Sequence, residues 1–339
     1  MHECQINLLQ YLRSKTQVDV DSFDADVPYA DQFAPVSTGV PGCVDGTSNP
    51  AEIYCEMIKP RHDDLIKEVL AFSTKVKSEF PTLRLEELAF EVMAIRLAFL
   101  IIPNITGAVH VMANPCYSYH TEKIVETGKH PTFDTNRLVI KVAATWEGLQ
   151  ACRELALCRI KSLATTVFTM EQVVLVGEAG CVSMSPFVHE AKAHFDENDR
   201  YSDEMPLLRL CVQAQQFYKK RSINTKVKAC ATLSVNEILQ LAGVDALTIM
   251  PDDLENLQKG TGCVRLVENQ SLFGDNSIPD DSDYPSYLDD ESTYRLDFSR
   301  SGQGKGQYKL MQLAQVLAIF SDFQFKGEEF MKAHQKLLG

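Results

Sequence analysis

Eight short β-rich runs punctuate the chain, with longer helical patterns between most of them. In order they are QVDVDSF (17–23), GCVDGT (42–47), ITGAVHV (105–111), LVIKVAA (138–144), LATTVF (163–168), CVSMSPFV (181–188), TKVKACA (225–231) and ALTIMP (246–251). Strands alternating with helices imply a parallel sheet clad by helices, because parallel neighbours are joined only by long crossovers. Eight is the number that closes a (β/α) barrel. An open doubly wound sheet is the rival, and it would want a glycine-rich phosphate loop after an early strand. No GxGxxG and no GxxxxGK[ST] occurs. The glycines of SGQGKGQ, from Ser301, follow no strand and read as a loop. The expected fold class is α/β, a single (β/α)8 TIM barrel over residues 1–339. Residues 268–292, acidic and rich in Pro and Ser, are expected to be an exposed loop. Residues 303–338 are expected to form a C-terminal helical segment whose apolar stripe must pack on something, either the barrel mouth or a partner.

Local signals support the helices. EELAFEVMAIRLAFLI (86–101) has apolar residues at helical spacing. Thr145 is a candidate N-cap with Glu147 in the first turn, and Ser234 three residues before Glu237 is a capping box closed by Gly243. The 339 residues are 45% hydrophobic, enough for a large core, and the net charge of -13 argues against a nucleic-acid partner. The N-terminus lacks a basic then apolar leader, and LAFLII is too short to span a bilayer, so no membrane partner and a cytoplasmic location are expected. Ten cysteines without a CxxC pair fit reduced thiols.

One residue breaks the pattern of the fourth run. Lys141 stands among Leu138, Val139, Ile140 and Val142, in a strand apolar enough to be buried. Burial disfavours the charged form of an amine, and a neutral amine can attack a carbonyl to form a Schiff base. The structural alternative is a lysine whose head snorkels to the barrel rim.

The words around it decide between these. LVIKVAATWEGLQA resembles the Schiff-base strand of the transaldolase family, I-K-[LI]-A-[SA]-T-W-[EQ]-G. VDGTSNP (44–50) resembles its D-A-T-T-N-P, GEAGCVSMSPFV its A-E-A-G-V-x-x-I-S-P-F-V, and NEILQLAGVDALTIMP its G-E-I-L-x-L-A-G-C-D-x-L-T-I-x-P. The matches keep the family's order and span nearly the whole chain. The resemblance implies a Schiff-base aldolase or transferase acting on a small carbonyl compound, with Lys141 as the nucleophile. It places Asp21 on the aspartate that exchanges the substrate hydroxyl proton, although the Asp-rich stretch also allows Asp19. Thr47 and Asn49 fall on the donor pocket, Thr165 on the threonine that holds the catalytic water, Ser185 on a substrate-binding serine and Phe187 on the adjoining wall. No cofactor is implied, and family members are often homodimers.

Other positions depart. The glutamate of the third-strand motif I-S-T-E-V-D becomes Ala108 and its aspartate His110, and an asparagine becomes Leu163. The two phosphate-binding arginines fall on Glu190, after His189, and on Leu233. A phosphate wants bidentate arginine. Two unit charges 4 Å apart interact by roughly 4 kcal/mol at an effective dielectric of 20, so a reversed charge opposes sugar phosphates strongly. His110, with its ordinary pKa of about 6.5, is a candidate acid/base in place of the lost glutamate. His189 and Glu190 are candidate substrate contacts, Glu190 for a cationic group or else as a solvated loop carboxylate. His189 and His194 in HEAKAH diverge by about 140° on a helix, so no metal is expected. The expectation is a Schiff-base enzyme making or breaking a carbon–carbon bond on an unphosphorylated substrate in specialised metabolism. The alternatives are an ordinary transaldolase of the pentose phosphate pathway and a non-catalytic scaffold.

Overall fold

A computed structural model of the chain describes residues 5–25, 42–129, 136–195, 206–274, 283–301 and 306–338. The described residues include the strands β1 (Gln5–Asn7), β2 (Gln17–Asp21), β3 (Gly46–Thr47), β4 (Val109–Met112), β5 (Leu138–Ala143), β6 (Ser162–Val167), β7 (Ser183–Pro186), β8 (Lys226–Ala229), β9 (Ala246–Ile249) and β10 (Thr261–Cys263). Strands β2 to β9 pair in sequence order, all in parallel, and β9 returns to β2 to close a barrel. Each of the eight β-rich runs supplies one barrel strand. β5 and β6 are buried at every position, as a strand covered on one side by helices and on the other by the barrel interior must be.

The antiparallel pair of β1 and β10 lies outside the barrel and has no sequence signature, because three residues carry no readable period. Helix caps follow local chemistry. Thr145 Oγ1 accepts the Gly148 N–H at 2.8 Å, which starts the helix Trp146–Leu157 directly after the lysine strand. Ser234 Oγ accepts the Glu237 N–H at 3.3 Å, while the Glu237 carboxylate reaches the Leu233 N–H at 2.8 Å, one residue earlier than a standard capping box.

The helix Gly306–Leu338 packs against the helices Pro50–Met57 and Leu85–Ile101. Its Leu313, Val316, Leu317 and Phe320 join Ala143, Phe168 and Phe187 in a second apolar cluster over the C-terminal ends of the strands. The expected exposed loop at 268–292 is corrected in part. Tyr287 is 1% exposed and stands edge-on to Tyr294 at 5.6 Å, so an apolar anchor ties this acidic strap to the body. Residues 275–282 of that loop and 302–305 of the glycine-rich stretch lie outside the described residues. Among the described residues no helix is long and apolar enough to cross a membrane.

Candidate functional site

Side chains alternate along a strand, so residues two apart on one strand share its inner face. Asp21 ends β2 and Thr47 ends β3, while Lys141 is fourth in β5. All three therefore stand near the C-terminal mouth of the barrel, where barrel sites form. Lys141 is 5% exposed, and its amine donates to Thr47 Oγ1 at 3.3 Å and to the Ser48 carbonyl at 3.2 Å. The nitrogen therefore does not snorkel. It faces a cavity of about 310 Å³ whose wall includes Asp21, Asn49, Glu52, Phe187, His194 and Cys230, with Phe320 and Phe323 of the C-terminal helix across the mouth.

Glu52 enters this cavity through helix capping. Asn49 is the N-cap of Pro50–Met57; its Oδ1 accepts the N–H groups of Ala51 and Glu52 at 2.9 and 3.3 Å. Its Nδ2 donates to Glu52 Oε1 at 2.9 Å, which fixes that carboxyl at the helix start. The other oxygen, Glu52 Oε2, is buried beside the Asp21 carboxyl and the Ser48 side chain, with which it interacts, while Thr165 Oγ1 is buried with no hydrogen-bond partner among the described residues. Burial, reinforced by the charge of Asp21, holds the Glu52 carboxyl well above the usual carboxylate range. Burial also raises Asp21, against the opposing pull of Lys141. Two adjoining buried carboxyls cannot both ionise cheaply, so the pair favours sharing a proton.

One layer deeper the barrel carries a second lysine. Lys228 Nζ bonds Asp19 Oδ2 and Asp45 Oδ2, both at 2.6 Å, and Asp45 Oδ2 lies 3.5 Å from His110 Nε2. Asp19 also accepts from Gln17 and from the Asp45 N–H, so its acceptors are occupied. Asp19 thus belongs to the ionic layer and Asp21 to the cavity wall. His110 corrects an expectation. It belongs to the ionic layer, burial lowers its pKa first of all, and it is absent from the cavity wall beside Lys141.

The remaining candidates divide. Phe187 is on the wall. Ser185 and Thr165 are buried on β7 and β6, off the cavity lining. Thr165 adjoins a register shift between Ala164 and Val167, where Thr166 has φ 60°, a left-handed conformation that β-branched residues avoid. Bulges of this kind re-aim strand side chains beside active sites. His189 is turned to Glu237 Oε1 at 2.8 Å. Glu190 is not a solvated loop carboxylate: it is 3% exposed and Glu190 Oε2 accepts from Gln315 Nε2 at 3.4 Å. Leu233 is exposed, and no arginine lines the cavity among the described residues. Sequence reasoning missed Glu52, His194 and the phenylalanines of the C-terminal helix. For Glu52 the only signal was Asn49-x-x-Glu52, which reads as an ordinary capping pattern.

A family model described as transaldolase/fructose-6-phosphate aldolase matches residues 36–288. The chain is 29% identical to "Transaldolase B" of Pasteurella multocida (strain Pm70) over 278 residues, covering 79% of this chain and 84% of that protein. It is 30% identical to "Transaldolase" of Schizosaccharomyces pombe over 290 residues, covering 82% and 86%. It is also 30% identical to "Transaldolase" of Histophilus somni (strain 129Pt) over 272 residues, covering 77% and 82%.

Proposed function

Because this chain belongs to the transaldolase/fructose-6-phosphate aldolase family, we propose that it makes or breaks a carbon–carbon bond through an iminium on Lys141, with an unphosphorylated carbonyl substrate. The observation that carries this reading is the buried Lys141 amine, held by neutral oxygens and facing a cavity whose wall carries two carboxyls and no described arginine. The amine adds to a ketone, water leaves, and the resulting iminium withdraws electrons from the adjoining bond. Asp21 takes the proton of the β-hydroxyl as that bond breaks. The electron pair moves into the iminium and leaves an enamine, which then attacks a second carbonyl. Thr47 and Ser48 orient the amine, and Phe187 with Phe320 and Phe323 excludes water from it.

A phosphate dianion would meet Asp21 and Glu52 with no guanidinium among the described residues of the cavity wall to balance it. The apolar mouth instead suits a donor or acceptor carrying hydrocarbon or aromatic groups. This supports a place in specialised biosynthesis rather than in the pentose phosphate route. The test is borohydride trapping with dihydroxyacetone, hydroxyacetone and aryl ketones, read by intact mass beside Lys141→Ala. Turnover of fructose 6-phosphate with erythrose 4-phosphate is measured in parallel. A Lys141-dependent adduct with slow sugar-phosphate turnover is expected. Fast sugar-phosphate turnover refutes the substrate assignment, and no adduct with any carbonyl refutes the Schiff-base chemistry.

A further inference from the structure

Forming an iminium needs an acid. The carbinolamine made by Lys141 and a ketone must lose its hydroxyl as water, and hydrolysis at the end of the cycle needs the reverse proton transfer. Several ionisable side chains line the cavity: Asp21 from β2, Lys141 from β5, His194 from the short helix Lys192–Phe195, Cys230 after β8, and Cys55 and Glu52 on the helix Pro50–Met57. Most do not fit the task. Burial pushes the Cys230 thiol far up and Cys55 up as well, so both are poor proton carriers. Burial lowers His194, whose neutral ring is a weak acid. Asp21 is assigned to the substrate hydroxyl, and His110 lies in the ionic layer with Asp45.

We propose that Glu52 is the catalytic acid/base that builds and hydrolyses the Lys141 iminium, with Asn49 as its positioning residue. This rests on the Schiff-base reading above and adds a residue that lies outside the strand motifs. Two observations carry it. One Glu52 oxygen is pinned by Asn49 Nδ2 at 2.9 Å, which leaves the other free to act. That other oxygen, Oε2, is buried on the same cavity wall as Lys141, beside the Asp21 carboxyl with which it shares a proton, and no amide or ammonium group ties it down among the described residues. A buried carboxyl whose nearest acidic neighbour is another carboxyl is costly to keep, and such pairs concentrate where they hand protons to a substrate.

The step balances as follows. The Glu52 carboxyl gives its proton to the carbinolamine oxygen. The C–O bond breaks and water departs, while the nitrogen lone pair forms the C=N bond. Glu52 is left as a carboxylate beside the iminium. In hydrolysis the carboxylate takes a proton from the attacking water, whose oxygen bonds to the iminium carbon as the C=N electrons return to nitrogen. Burial and Asp21 both favour the protonated form of this carboxyl, which is the form that acts as the acid.

The test is single-turnover borohydride trapping with dihydroxyacetone in the wild type, Glu52→Gln and Glu52→Ala. Glu52→Gln keeps an oxygen for Asn49 Nδ2 and a similar volume, so folding is retained and is checked by thermal unfolding. Adduct formation at Lys141 is expected to slow by about 100-fold or more in Glu52→Gln. Formate is expected to restore part of the rate in Glu52→Ala. The wild-type rate should fall as pH rises through the elevated Glu52 titration, and that limb should be absent in Glu52→Gln. Trapping at the wild-type rate, or an unchanged pH limb in Glu52→Gln, overturns the role of Glu52 while leaving the Schiff-base chemistry standing. A wild type that forms no adduct overturns both.

Discussion

Lys228→Met tests whether the ionic layer beneath the site holds the barrel together. The Lys228 ammonium lies 2.6 Å from an oxygen of Asp19 and 2.6 Å from one of Asp45. Side-chain exposures are 5%, 0% and 13% for Lys228, Asp19 and Asp45, so solvent screens these contacts weakly. Hydrogen bonds to charged groups contribute about 1.5–3 kcal/mol each. Two of them give about 3–6 kcal/mol, and removing one partner of a buried pair costs about 3–5 kcal/mol because a charge is left uncompensated. Methionine fills the space of the lysine stem but leaves two carboxylates facing each other. The expected loss is about 4 kcal/mol, against a total stability of about 5–15 kcal/mol for a typical domain. The assay is urea unfolding. With a slope of about 3 kcal/mol per molar, the midpoint should fall by about 1.3 M.

The loss should also depend on pH, with a sign fixed by His110. Burial lowers the His110 pKa and the Lys228 charge lowers it further, while Asp45 pulls it up. Without Lys228 the repulsion is gone, and His110 can take a proton and stand in as the cation of Asp45 as pH falls. The defect should therefore be larger at pH 8 than at pH 5.5. A loss below about 1 kcal/mol, typical of an exposed pair, or an equal loss at both pH values refutes the argument.

Glu91 gives a second stability test. Burial, then the charges of Glu87 and Glu328, push its carboxyl to about 8, and its Oε1 has no described partner. A raised carboxyl contributes stability that is fully present below its ordinary value and is lost as pH rises through the elevated one. Glu91→Gln should thus match the wild type near pH 4 and exceed it by a few kcal/mol, on the order of the linkage limit, at pH 9. Coincident stability curves across that range would count against it. At the mouth, Phe323 touches Phe195 at 5.8 Å and Tyr54 at 6.0 Å. Phe323→Ala should raise the half-saturating concentration of an aryl ketone in trapping by about tenfold and leave that of dihydroxyacetone nearly unchanged. Equal shifts for both ketones would mean that Phe323 does not shape specificity.

The eight strands were legible because each carries its own signal: a β-rich run, followed in most cases by a helical period. Lys141 was legible for the opposite reason, as a cation placed where the run demanded hydrocarbon. His110, two positions from a lost glutamate, has the right chemistry on paper; its partner Asp45 and the neighbouring Lys228 lie far away in sequence. Glu52 was hidden in plain view as a helix cap. No local rule says that the first turn of that helix leans into the barrel mouth.

The order and type of the elements, the closed parallel barrel and the identity of its central amine follow from the chain's own periodicities and motifs, which act over a few residues. Which carboxylates share a cavity with that amine, and which are spent neutralising Lys228, depended on tertiary structure. Side chains on different strands meet only when the barrel closes and its register is set, and burial then decides which of them keeps its proton.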